Sequence, residues 1–171
     1  MKLLKIFLML SLLGLTACAS SVKRMDGATS SYQYQGQKFN SVTVSVTDEV
    51  KAKLSDNIKF SSTELGDMIK RRLENQGLID AGAKQSMSIE ITDVRIRSTF
   101  NAIMWGVMAG NDHITGKITL MVANRTLDSF EVSASYALGG LGGGQDSTRM
   151  NWLYEKFSEL SVNELTGKPH S

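Results

Sequence analysis

Three successive stretches of the chain alternate apolar with polar side chains, and that pattern leaves few architectures open. Met87, Ile89 and Ile91 share one phase. Ile114, Ile118, Leu120 and Val122 alternate with Thr115, Lys117, Thr119 and Met121, and Phe130, Val132, Ala134, Tyr136 and Leu138 with Glu131, Ser133 and Ser135. A period of two sends one set of side chains to each face of a pleated strand. With a turn around Asn124–Asp128 between the last two, the run reads as an antiparallel meander. The first stretch, 85–99, carries a fault, because Val94 and Ile96 fall out of phase with Ile91. Either a bulge near Thr92 and Asp93 restores the inward direction, or the sheet is covered on both faces.

Upstream, Phe39, Val42, Val44 and Val46 against Ser41, Thr43, Ser45 and Thr47 predict another strand. Ser61 and Glu64 have capping-box spacing, Leu65, Ile69 and Leu73 follow four apart, and Gly77 stands where a left-handed terminator belongs. A helix over 61–76 follows. Asp146 or Ser147 caps a last helix over 147–166, whose stripe is Met150, Leu153, Phe157 and Leu160, flanked by Trp152 and Tyr154. The order is β-α-β-β-β-α. It predicts a two-layer α+β domain over 39–167, with a mostly antiparallel four-stranded sheet and two helices. Residues 168–171 form a tail, and the polar, aliphatic-poor stretch 18–38 reads as a flexible tether.

The amino terminus carries a different message. Lys2 and Lys5 precede an apolar run, Ile6–Leu15, too short for a span of about 20 apolar residues. Small Thr16 and Ala17 then stand before Cys18, the sole cysteine. This is the layout of a cleaved export signal over residues 1–17. An internal disulfide is impossible with one cysteine, although an intermolecular one is not. The motif resembles the lipobox of bacterial lipoproteins, which implies cleavage between Ala17 and Cys18 and acyl chains on Cys18 as the membrane anchor. Ala19 and Ser20 follow, with no aspartate, similar to the outer-membrane pattern of such lipoproteins, whose domains face the periplasm. Of 19 basic residues, Lys2 and Lys5 lie in the leader, leaving 17 against 17 acidic ones. A near-neutral mature chain with no basic stripe gives nucleic-acid binding no support. Lys70-Arg71-Arg72 sits late in a predicted helix, where cations favour the dipole.

Two segments do not read as scaffold. The link over 102–110 is apolar, with Met104, Trp105, Val107 and Met108. It either folds back over the open end of the core or forms a surface for a partner protein or the membrane. Gly139, Gly140, Gly142, Gly143 and Gly144 precede the last helix. Without the lysine and hydroxyl of a P-loop they are not a nucleotide loop. They form a tight positive-φ route onto the helix or a flexible binding loop. Only His113 and His170 could serve as catalytic imidazoles, and nothing pairs either with a nucleophile. Asp112 and His113 could hold one edge of a metal site, but two ligands fall short of the usual three or four; the pair is expected to be a solvated strand end. Asp93, Arg95 and Arg97 are expected on a polar strand face with local ion pairs. No cofactor, metal or catalytic residue is implied.

The run Ile91-Thr92-Asp93-Val94-Arg95, the segment Met104–Asp112, the Gly139–Gly144 loop and the last helix together resemble domain-of-unknown-function family 4410, over about 39–166. Its members are bacterial lipoproteins of similar size. Where that family commonly has an acidic residue and a glycine after the third strand, Asn124-Arg125-Thr126 stands here. The resemblance implies no catalytic residue and no defined ligand. The expectation is a non-enzymatic lipoprotein acting through contact with an envelope protein, in assembly or maintenance. The alternative is a periplasmic module that binds a small molecule, glycan or lipid.

Overall fold

The computed structural model describes residues 20–24, 33–54, 60–98, 110–136 and 146–168. Its elements run β1 (Ser21–Arg24), β2 (Phe39–Val46), α1 (Asp48–Leu54), α2 (Ser62–Glu74), β3 (Gln85–Arg95), β4 (Asp112–Val122), β5 (Arg125–Tyr136) and α3 (Asp146–Thr166). The α+β class is as expected, but the details differ. One mixed five-stranded sheet, in the order β1-β5-β4-β3-β2, replaces the expected four strands, and three helices replace two. The meander β3-β4-β5 is antiparallel. Strand β2 runs parallel to β3, because helices intervene and return the chain to the same end of the sheet.

The fifth strand comes from 21–24, inside the stretch read as a tether. It pairs antiparallel with β5, Val22 opposite Val132, and Val22 packs against the core. The third helix, α1, follows Thr47, whose Oγ1 accepts from the Val50 amide at 3.4 Å. Its acids lie in the first turn and its lysines in the last, as the helix dipole favours. Only Val50 of its seven residues is buried.

Where local signals were strong, structure and sequence agree. Ser61 caps α2 by accepting from the Glu64 amide at 3.1 Å. At the other end the Leu78 amide reaches the Leu73 carbonyl and the Gly77 amide the Glu74 carbonyl, with Gly77 at φ +69. That is a Schellman closure, which needs a left-handed residue at this point. The bulge is also present: pairing with β4 shifts between Ile91 and Asp93, and Met87, Ile89, Ile91 and Val94 are all buried. The β4–β5 turn is tighter than expected. Ala123 and Asn124 both have positive φ, the mark of a two-residue primed turn, and Val122 pairs with Arg125.

Helices α2 and α3 cover one face of the sheet. The core joins Leu65, Ile69 and Leu73 of α2 and Leu153, Phe157 and Leu160 of α3 to the inward residues of all three meander strands. Gly116 in β4 leaves room for α3: a Cβ there would lie 2.9 Å from Ile91 Cδ1 and 3.1 Å from Phe157 Cζ. On the opposite face Glu90, Lys117, Glu131 and Lys23 stand in register across β3, β4, β5 and β1. Opposite charges side by side stabilise such a ladder modestly.

Candidate functional site

One end of the sheet gathers the finish of β3, the start of β4, the finish of β5 and the first turn of α3. A charged cluster holds these four chain ends together. Asp112, fully buried, accepts at Oδ1 from the Arg97 amide (2.7 Å) and Nε (3.2 Å), and at Oδ2 from Arg97 Nη2 (3.2 Å) and Arg149 Nη1 (2.7 Å). Arg97 Nη1 donates to the Gly110 carbonyl at 2.6 Å and Nη2 to the Tyr136 carbonyl at 3.4 Å. Arg149 Nη2 reaches back to the Arg97 carbonyl at 3.0 Å. Charge-assisted bonds of this kind are short and directional, and inside a protein they are strong only when every member is satisfied.

This corrects two expectations. Asp112 is not a solvated strand end, and Arg97 does not lie on a polar strand face. Alternation placed Asp112 inward with Ile114 and Ile118, and a carboxylate there must be paired because desolvating it alone is costly. Its partner Arg149 lies 37 residues away. No local pattern announces such a pairing.

Asp93 does lie in a local ion network. His113 Nε2 is 2.7 Å from Asp93 Oδ2, and Lys53 Nζ donates to Oδ1 at 2.6 Å. Partial burial would raise the Asp93 carboxyl, but the bonds from His113 and Lys53 outweigh it and hold the group below its ordinary value. Among the described residues no group of three or more histidine, cysteine or acidic side chains could hold a metal ion.

The same end receives the chain from the amino terminus. The Ser135 amide donates to Ser20 Oγ at 3.0 Å, one residue before β1 begins. Beside it Tyr136 packs on Trp152, ring centroids 4.9 Å apart. Trp152, 37% exposed, is the one large hydrophobic side chain left open among the described residues. Sequence reasoning placed Trp152 on α3 but gave it no role; its signal was an indole beside the apolar stripe.

The residues singled out as candidate sites lie outside the described residues: Ala17 and Cys18, Met104, Trp105, Val107 and Met108, and Gly139, Gly140, Gly142, Gly143 and Gly144. Their described neighbours are nonetheless brought together. Ser98 and Gly110 flank 99–109, and Tyr136 and Asp146 flank 137–145, all around the Arg97–Asp112–Arg149 cluster.

A second feature is a groove of about 690 Å³ between α2 and α3, lined by Phe60, Met68, Met150 and Tyr154 together with polar residues that include Glu64 and Arg71. The Ser61 amide donates to the Tyr154 hydroxyl at 2.6 Å, tying the start of α2 to α3. Burial pushes that hydroxyl up to about 12, so the phenol stays neutral and serves as structure.

The family model for a domain of unknown function, DUF4410, matches residues 13–140. The chain belongs to the DUF4410 family. The match begins earlier and ends sooner than the 39–166 expected from motifs, taking in part of the apolar leader and stopping short of α3. No curated protein matches the chain in sequence. Among solved structures, the DUF4410 chain is similar to a PelC dodecamer subunit from Paraburkholderia phytofirmans, with 11% identity, 82% of this chain and 97% of that one covered, and a TM-score of 0.46. It is also similar to an uncharacterized protein, at 15% identity, 80% and 95% coverage and a TM-score of 0.45. A third, from Xanthomonas campestris and of family DUF330, shares 15% identity over 62% of this chain and 58% of that one, with a TM-score of 0.37.

Proposed function

We propose that this DUF4410 protein is a non-catalytic lipoprotein of the bacterial outer membrane, acting through contact with envelope proteins in assembly or maintenance. The leader over 1–17 is cut between Ala17 and Cys18, acyl chains on Cys18 form the anchor, and the domain faces the periplasm. The observation that carries the reading is the docking of Ser20 on Ser135, only two residues after Cys18. An anchor joined to the sheet without a stalk keeps the domain at the membrane surface. Its partners are therefore proteins of that same surface, within reach of a tethered globule rather than across the periplasm. Two or more acyl chains suffice for stable attachment, each buried CH₂ contributing about 0.8 kcal/mol.

The groove between α2 and α3 favours the second reading, a module for a small molecule, glycan or lipid, because its lining mixes apolar and aromatic side chains with polar ones. Cys18→Ser tests the anchor: fatty-acid labelling and leader cleavage are expected to be lost, and unchanged membrane attachment would overturn it. Crosslinking and affinity capture from membranes separates the two roles. A stoichiometric envelope protein supports the first, and a co-purifying small molecule in native mass spectrometry supports the second.

A further inference from the structure

We infer that the end of the sheet carrying Ser20, Tyr136 and Trp152 rests on the lipid surface itself, with Trp152 at the level of the headgroups. The inference rests on the acyl anchor proposed above. Cys18 is two peptide units from Ser20, a reach of at most about 7 Å, and Ser20 is bonded to the Ser135 amide at 3.0 Å. The lipid attachment point is therefore tied to this end of the molecule. The opposite end lies most of a 12-residue strand away, along β5 from Ser135 back to Arg125.

What this end presents suits an interface. Tyr136, next to Ser135, packs with tilted rings against Trp152, the exposed indole. Tyrosine and tryptophan have an apolar body and a polar tip and collect where hydrocarbon meets water. Ser147, Thr148 and Asn151, exposed beside Trp152 on α3, are uncharged, so approach to lipid strips no ion of its water. Arg97, Arg149 and Asp112 are turned inward onto one another, while exposed Arg95 and the half-exposed Lys53 beside Asp93 leave cations at this end that suit anionic headgroups. At the far end half-exposed Arg24 bridges Asp128 and Glu164, and Arg125 is exposed. A domain tethered at the end that carries its exposed indole has one favoured orientation on a bilayer.

The test uses acylated protein purified from bacterial membranes and placed in vesicles of phosphatidylethanolamine and phosphatidylglycerol. With Trp105→Phe, Trp152 is the only indole. Brominated acyl chains are expected to quench it about twofold, since interfacial groups lie within roughly 5–10 Å of the acyl boundary. Hydrogen exchange of the unsubstituted acylated protein gives a second reading. Binding to vesicles is expected to slow exchange at 147–152 and at Ser20–Val22, and to leave Ala123–Arg125 unchanged. Acylated, vesicle-bound protein with an unquenched Trp152 and equal exchange at both ends would overturn the orientation while leaving the anchor intact. Protein without acyl chains would overturn both.

Discussion

The two ends of the sheet solve the same problem, how to finish strands, by opposite means. At the far end β4 turns into β5 through two residues, Ala123 and Asn124, and the ion pairs nearby open to water on one side only: Arg24, half exposed, bridges the buried Asp128 and the largely covered Glu164. Water on the arginine weakens such pairs relative to a fully buried cluster. At the near end the sequence runs 16 residues between β3 and β4 and nine between β5 and α3, and Asp112 holds the flanks through two buried arginines, one of which also donates to the carbonyls of Gly110 and Tyr136. The difference teaches where the molecule can vary. A tight turn is stable by itself, whereas long connections need a buried latch beneath them.

Four substitutions or titrations would break or sharpen that contrast. Asp112→Asn carries the largest effect: it leaves two buried guanidinium groups facing a neutral side chain and should destabilise by about 3–5 kcal/mol in urea unfolding. A loss under about 1 kcal/mol would place the near-end cluster on a par with an exposed surface pair. Gly116→Ala probes the middle of the sheet, where the new methyl would meet Ile91, Phe157 and the Glu90 carbonyl. Overpacking of this kind costs about 1–3 kcal/mol and should show as a lower Tm. Arg24→Gln, at the far end, takes one partner from the buried Asp128 carboxylate and should cost about 1–2 kcal/mol, less than Asp112→Asn because the arginine is half open to water.

The smallest effect is acid sensitivity at Asp93. Its carboxyl is held below the ordinary value near 3.9, so its contribution is full above that value and is lost as pH falls through it towards the lowered one. The group is 40% exposed, so the change should be about a few tenths of a kcal/mol. Asp93→Asn should remove that step from a stability profile taken between pH 5 and 2, about the range over which such carboxylates titrate.

Much of the scaffold was legible because its signals are local. The Ser61–Glu64 cap, the Gly77 terminator and the phase break at Thr92-Asp93 each depend on neighbours a few residues apart, and each appears in the structure. Strand alternation told which residues face inward but not which strands lie side by side, so the parallel β2–β3 pair was not foreseen. Strand β1 escaped because only Val22 touches the core, and the rest of its attachment is backbone pairing to an edge that composition cannot show. Helix α1 escaped for a similar reason, one buried valine in seven residues. The site was the least legible. Asp112 reads as an ordinary polar strand end until Arg149 is brought beside it by the fold. Gly116 did carry a signal that went unused: a lone glycine within a strand pattern marks a close approach.

The account stands on the chemistry of Cys18, and intact mass of the protein extracted from its own bacterial membranes tests it most directly. The expected result is a chain beginning at Cys18 and heavier than its amino acids by diacylglycerol and a further acyl group. A full-length chain with its leader in place and a free thiol would contradict it.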